Sequence, residues 1–175
     1  MKYFLMEGDK RIVYSPKIRG WHEKIDIRNI SLEGAYKIPK RELMFIEENP
    51  NTIFTDFISN PFYLVSEKVK KTIRMYEPNI ILKEVILLDP IFEKTERYFL
   101  PIFEEVECLA EESVFNLNHS MIKKIILDKS KVEDRSIFRI ANVSKHYVVG
   151  NLDIVESILK RGCLGLQLTE IEVKE

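Results

Sequence analysis

The last forty residues, Ser136 to Glu175, constrain this chain most, because they spell a strand-strand-helix-strand unit with its punctuation in place. Ser136-Ile137-Phe138-Arg139-Ile140 and Tyr147-Val148-Val149 predict strands, Leu152 to Arg161 a helix, and Leu164 to Val173 a closing strand. Asn151 can cap the helix, Asp153 suits the positive end of its dipole, and Glu156 stands four residues before Lys160. Leu152, Val155, Ile158 and Leu159 form the stripe that must be buried. Gly162 supplies the left-handed residue that ends the helix.

A second helix is predicted from Ser66 to Tyr76. Ser66 is its cap, Val69, Ile73 and Tyr76 form its packed face, and Lys68, Lys70, Lys71 and Arg74 form its wet one. Glu77-Pro78 stops it, since a residue before proline is pushed out of the α region. Strands are expected at Lys2–Met6, around Arg11–Tyr14, at Leu43–Ile46, Thr52–Phe54, Ile80–Leu88, Tyr98–Ile102, Val106–Cys108 and Met121–Leu127. Pro101 is expected at an edge or bulge.

Strands outnumber helices and several are joined by short turns. The expected class is therefore α+β, with a mixed, largely antiparallel sheet covered by two main helices at about 66–76 and 152–161. At 175 residues, the chain is read as a single domain. Residues 1–55 form its less regular N-terminal portion and 56–175 its core. No repeat at a fixed period is evident.

Composition narrows the function classes. Charged residues make up 31% of the chain, as in globular proteins, and the formal net charge of -1 argues against a dedicated nucleic-acid binder. The start is apolar only from Tyr3 to Met6, too short for a secretion signal, and no run approaches a membrane span. Cys108 and Cys163 stand apart, outside any CxxC or Cys/His spacing, so a reducing, cytoplasmic setting is expected.

Residues that could do chemistry are few. His22, His119 and His146 stand in no metal-ligand spacing, so neither a metal nor a cofactor is expected. Cys108 followed by His119 is the only nucleophile-base pairing to consider, and Cys108 alternates with Val106 and Ala110 as a core thiol would. An enzyme using Cys108, His119 or the 104–112 glutamates is the alternative reading. Arg19-Gly20-Trp21-His22 is a candidate partner contact through Trp21, weighed against a Trp packed under a loop.

Charge is segregated along the chain. Glu84 to Asn118 carries nine carboxylates against Lys94 and Arg97, and His119 to Lys145 carries seven cations against three carboxylates. Such runs are often solvated faces. The sharper expectation is that Glu104, Glu105, Glu107, Glu111 and Glu112 form an anionic surface that steers a basic protein partner.

From about Phe57 the chain resembles the immunity proteins of bacterial polymorphic toxin systems, in the family first catalogued as an uncharacterised domain and later renamed for a myxobacterial immunity protein. The matching pieces are Phe62–Val69, Val85–Asp89, Tyr98–Ile102 through Val106–Ser113, Ile137–Ile140, and Leu152–Leu159 with Gly162 and Gly165. Pro101 and Glu104-Glu105 depart from the family's asparagine-rich pattern, and residues 1–55 lie outside the resemblance. The resemblance implies a small cytoplasmic protein that binds a cognate toxin domain and neutralises it without catalysing anything.

Overall fold

The computed structural model describes residues 1–175. Its first half contains β1 (Tyr3–Gly8), β2 (Arg41–Phe45), β3 (Phe57–Ile58), β4 (Leu64–Ser66), α1 (Glu67–Tyr76), β5 (Ile81–Asp89) and β6 (Lys94–Ile102). There follow β7 (Glu105–Val106), β8 (Val114–Phe115), β9 (Ile122–Lys124), β10 (Ile126–Asp128) and a single turn α2 (Lys129–Val132). The chain closes with β11 (Ile137–Ile140), β12 (Val148–Asn151), α3 (Leu152–Lys160) and β13 (Leu166–Lys174). The protein is α+β and mostly sheet, as its alternation of apolar runs and turn signals requires.

The caps are where local chemistry places them. The Ser66 hydroxyl accepts from the Val69 N–H at 3.4 Å, the Asn151 side chain accepts from the Ile154 N–H at 3.2 Å, and Gly162 ends α3 at φ 66°.

The strands divide into two sheets where one was expected, and α1 and α3 lie between them. Sheet I runs β10-β13-β1-β12-β11-β7 and sheet II runs β2-β5-β6-β4-β3, while β8 and β9 form a separate hairpin. One core is shared by the helices and both sheets, with Val69 and Ile73 of α1 and Ile154, Val155 and Ile158 of α3 meeting Val65, Phe99, Ile137 and Val148. Tyr76 ties the helices together by donating to the Asp153 carbonyl at 3.0 Å. A second core lies on the far face of sheet II, under the loop-rich segment that brings Ile25, Ile30, Ala35 and Ile38. A third lies on the far face of sheet I, under the segment that brings Cys108, Ile122 and Val132. Each fully buried aliphatic or aromatic side chain contributes roughly 1.5–3 kcal/mol.

The two sheets repeat one topology. In sheet II, β2 is parallel to β5, and β6 lies antiparallel between β5 and β4, with β3 beyond. In sheet I, β10 is parallel to β13, and β1 lies antiparallel between β13 and β12, with β11 beyond. Each is a split β-α-β unit in which a third strand separates the two strands that the helix joins. The residues agree as well. Tyr98-Phe99-Leu100 on β6 and Tyr3-Phe4-Leu5 on β1 are the same tripeptide. Tyr98 pairs with the cap Ser66 on one side and Val85 on the other, whereas Tyr3 pairs with the cap Asn151 and Ile171. Both tyrosines are buried, and their hydroxyls donate to backbone carbonyls, Thr55 at 2.7 Å and Val132 at 2.5 Å. The fold repeats one unit twice: the central strand of one unit follows its hairpin partner, and that of the other comes from the opposite end of the chain.

Four local expectations are corrected. Arg11–Tyr14 and Thr52–Phe54 are turn and loop rather than strand; they lean on each other through the Ile53 N–H and the Tyr14 carbonyl at 2.9 Å. Met121–Leu127 is broken into β9 and β10, which serve different sheets. Pro101 lies in the centre of sheet II, where β6 continues beyond the end of the short β4 and no ladder is interrupted on that side.

Candidate functional site

The repeat provides an internal control for every surface position, because one half shows what the fold alone requires of the other. Near the helix ends the two halves carry matching ion pairs across the central strand, Arg97 with Glu84 at 3.5 Å in sheet II and Lys2 with Glu170 at 2.9 Å in sheet I. Farther out on the same face the halves part. In sheet I the register places Glu172 and Lys174 on β13 and Asp128 on β10. At the corresponding positions of sheet II stand Ile86 and Leu88 on β5 and Phe45 on β2.

Leu43 completes this apolar block by pairing with Ile86, as Phe45 pairs with Leu88. Leu43 and Phe45 are 41% and 44% exposed, and Ile86 and Leu88 are half-buried, because α1 covers β4 and β6 but stops short of this end of the sheet. The sheet I counterpart of Leu43 is Ile126, which is buried with its backbone bracketed by the Ser113 hydroxyl. Sheet II thus leaves an apolar block open where its twin is charged or covered. Contiguous exposed apolar surface of this kind is the mark of a contact face.

A chain of ion pairs forms the inner rim of the block. Lys70 and Lys71 reach Glu67 on α1 at 2.8 and 4.0 Å, Arg97 reaches Glu67 at 3.2 Å, and Glu84 binds Arg41 at 2.6 Å. The neighbouring cations hold the carboxyls of Glu67 and Glu84 below their ordinary values, mainly through hydrogen bonds from Lys70 and Arg41 respectively.

The expected anionic surface is found along β7, an edge strand, and the loop after it. Most of its charge is already engaged within the chain. Glu104 pairs with Arg135, Glu105 with Arg139 and Glu112 with Lys174, while Glu107 accepts from the Asn142 amide at 2.9 Å. Glu111 is exposed and has no ion-pair partner. The acidic and basic stretches of the sequence are folded against each other, so their separation along the chain does not survive as two opposed faces. Arg139 is the hub of that contact. It also donates to the Ile30 carbonyl and lies 3.3 Å from His146 Nε2, and its buried Nε has no partner. Burial, and then the Arg139 charge, pushes the His146 pKa down to about 4.

Trp21 begins a short 3-10 turn and packs edge-to-face on Phe62 at 6.1 Å and on His22 at 5.7 Å, half-buried as part of the cover over sheet II. Its aromatic contacts do not bring it to the glutamates. Cys108 is sealed in the third core, and burial pushes its thiol up to about 12. His119 is exposed on the β8–β9 hairpin and stacks on Phe115 at 4.9 Å. No helix is long and apolar enough to cross a membrane. No family model matches this chain, and no curated protein matches it.

The open end of sheet II escaped sequence reasoning. Ile86 and Leu88 lie in an apolar run that reads as a buried strand, and Leu43 and Phe45 in another. The signal that could have exposed it was the repeated Tyr-Phe-Leu, which sets the two halves in register.

Proposed function

We propose that this chain is an immunity-type protein of the bacterial cytoplasm that binds a cognate toxin domain and neutralises it by occlusion, without catalysis. The resemblance of residues from about Phe57 onward supports the class. The observation that carries the binding role is the open block Leu43, Phe45, Ile86 and Leu88: the last three are apolar where the twin half keeps Asp128, Glu172 and Lys174, and Leu43 is exposed where the twin's Ile126 is buried. A fold that tolerates charges at these positions in one half gains nothing from exposing hydrocarbon in the other, unless a partner covers it.

The test is co-expression with the toxin domain encoded beside this chain in its genome. Cells carrying both should grow, and the purified pair should form a stoichiometric complex. Death of the co-expressing cells, together with no complex at micromolar concentrations, would contradict the proposal.

A further inference from the structure

The rim of the open block also specifies the chemistry of what covers it. We infer that the partner presents an apolar knob flanked on one side by carboxylates, and that Arg41, Arg97 and Lys71 select it; this rests on the immunity reading above.

The rim ladder contains four cations, Lys70, Lys71, Arg97 and Arg41, and two carboxylates, Glu67 and Glu84. The side chains of Lys71, Arg97 and Arg41 are 73%, 54% and 68% exposed, against 36% for Glu67 and 15% for Glu84. The acids lie beneath and the cations reach outward. Lys70 is withdrawn, held over the Phe99 ring at 4.0 Å. An incoming surface therefore meets three cationic heads along the inner edge of the hydrocarbon, and carboxylates flanking that edge are their complement.

Two other occupants fit less well. A second copy would set this cationic rim against itself across a two-fold axis. A basic partner engaging Glu104, Glu105 and Glu107 would first have to displace Arg135, Arg139 and Asn142 from their present bonds.

The experiment measures association of the full chain with the toxin domain encoded beside it, by stopped flow at low and high salt. The wild-type rate should fall as salt rises, and the Arg41→Glu/Arg97→Glu variant should associate about tenfold more slowly at low salt. Lys71→Glu, on the exposed side of α1, should slow it in the same direction without touching the sheet. Glu104→Lys/Glu105→Lys/Glu107→Lys should leave the rate unchanged. The inference falls if wild-type chain binds but the cationic-rim variants associate as fast or faster, or if the glutamate variant is the one that slows. Sedimentation of the wild-type chain alone should give a monomer; a dimer dispersed by Phe45→Asp would assign the block to a second copy and overturn the inference. If the wild-type chain does not bind this toxin domain at all, the immunity reading itself fails.

Discussion

The two halves of this protein share a topology, a pair of capped helices and a buried Tyr-Phe-Leu strand, yet they treat the outer end of the helix-side face in opposite ways. Sheet I ends there in Asp128, Glu172 and Lys174, and sheet II in Phe45, Ile86 and Leu88. A repeated unit separates what architecture demands from what is added to it. Positions shared between halves include buried tyrosines, Tyr3 with Tyr98, helix caps, Asn151 with Ser66, and one ion pair, Lys2–Glu170 with Arg97–Glu84. The positions that diverge most in polarity face solvent, and there the divergence points to a task outside the fold.

The broadest challenge to the equivalence of the halves is a circular permutant. Tyr3 pairs with Ile171 in the antiparallel β1–β13 ladder, so the two ends of the chain are neighbours. Joining them with about four residues, the length of the Pro90–Glu93 turn between β5 and β6, and opening the loop near Lys10 makes both halves contiguous. The permutant should fold with the wild-type circular dichroism spectrum and a cooperative melt; a chain that stays unfolded would refute the equivalence.

The next effect concerns how the halves fill the same volume. Val65 on β4 corresponds to Gly150 on β12, where an added Cβ would stand 2.6 Å from the Met6 sulfur and 3.1 Å from Ile154. Met6 occupies the space that a side chain at 150 would need. Gly150→Ala should cost about 1–3 kcal/mol in urea unfolding, and Met6→Ala should cost less in the Gly150→Ala background than in wild type. Additive costs would break the argument.

Smaller effects are expected at three tyrosines. Tyr3→Phe and Tyr98→Phe should each cost about 1–2 kcal/mol, because each leaves a buried carbonyl without its donor. Tyr63 occupies the place of Val148 in the twin, and its buried hydroxyl has no partner. Tyr63→Phe should therefore be neutral or stabilising by up to about 1 kcal/mol in the same measurement.

His146 adds a pH dependence to the sheet I half, beside the one that the lowered Glu67 and Glu84 carboxyls give sheet II. His146 is neutral in the fold down to about 4, whereas in the unfolded chain it takes a proton near its ordinary 6.5. The stability this contributes is complete above about 6.5 and is lost as pH falls toward 4. Denaturation between pH 7 and 4 should show a shallower loss for His146→Gln than for wild type. Equal slopes would mean that the ring is not held neutral.

Much of this architecture was legible in the sequence because its signals are local. Ser66, Asn151 and Gly162 act within one helical turn, and each serves where expected. Strand partnership was not legible. Placing β1 between β12 and β13 joins residues from opposite ends of the chain, and the repeat that reveals it is three identical residues in permuted order. The internal pairing of the acidic stretch was not legible for a related reason. Charge counted along a sequence is blind to Arg135 and Arg139 folding back onto Glu104 and Glu105.

The central claim is that the apolar end of sheet II serves a partner rather than the fold. The triple variant Phe45→Asp/Ile86→Glu/Leu88→Lys gives sheet II the charges that sheet I already carries, and its melt followed alongside toxin binding tests the claim most directly. A melting temperature within a few degrees of wild type, with binding lost, is the predicted result. Unfolding of the variant, or binding that survives it, would contradict the account.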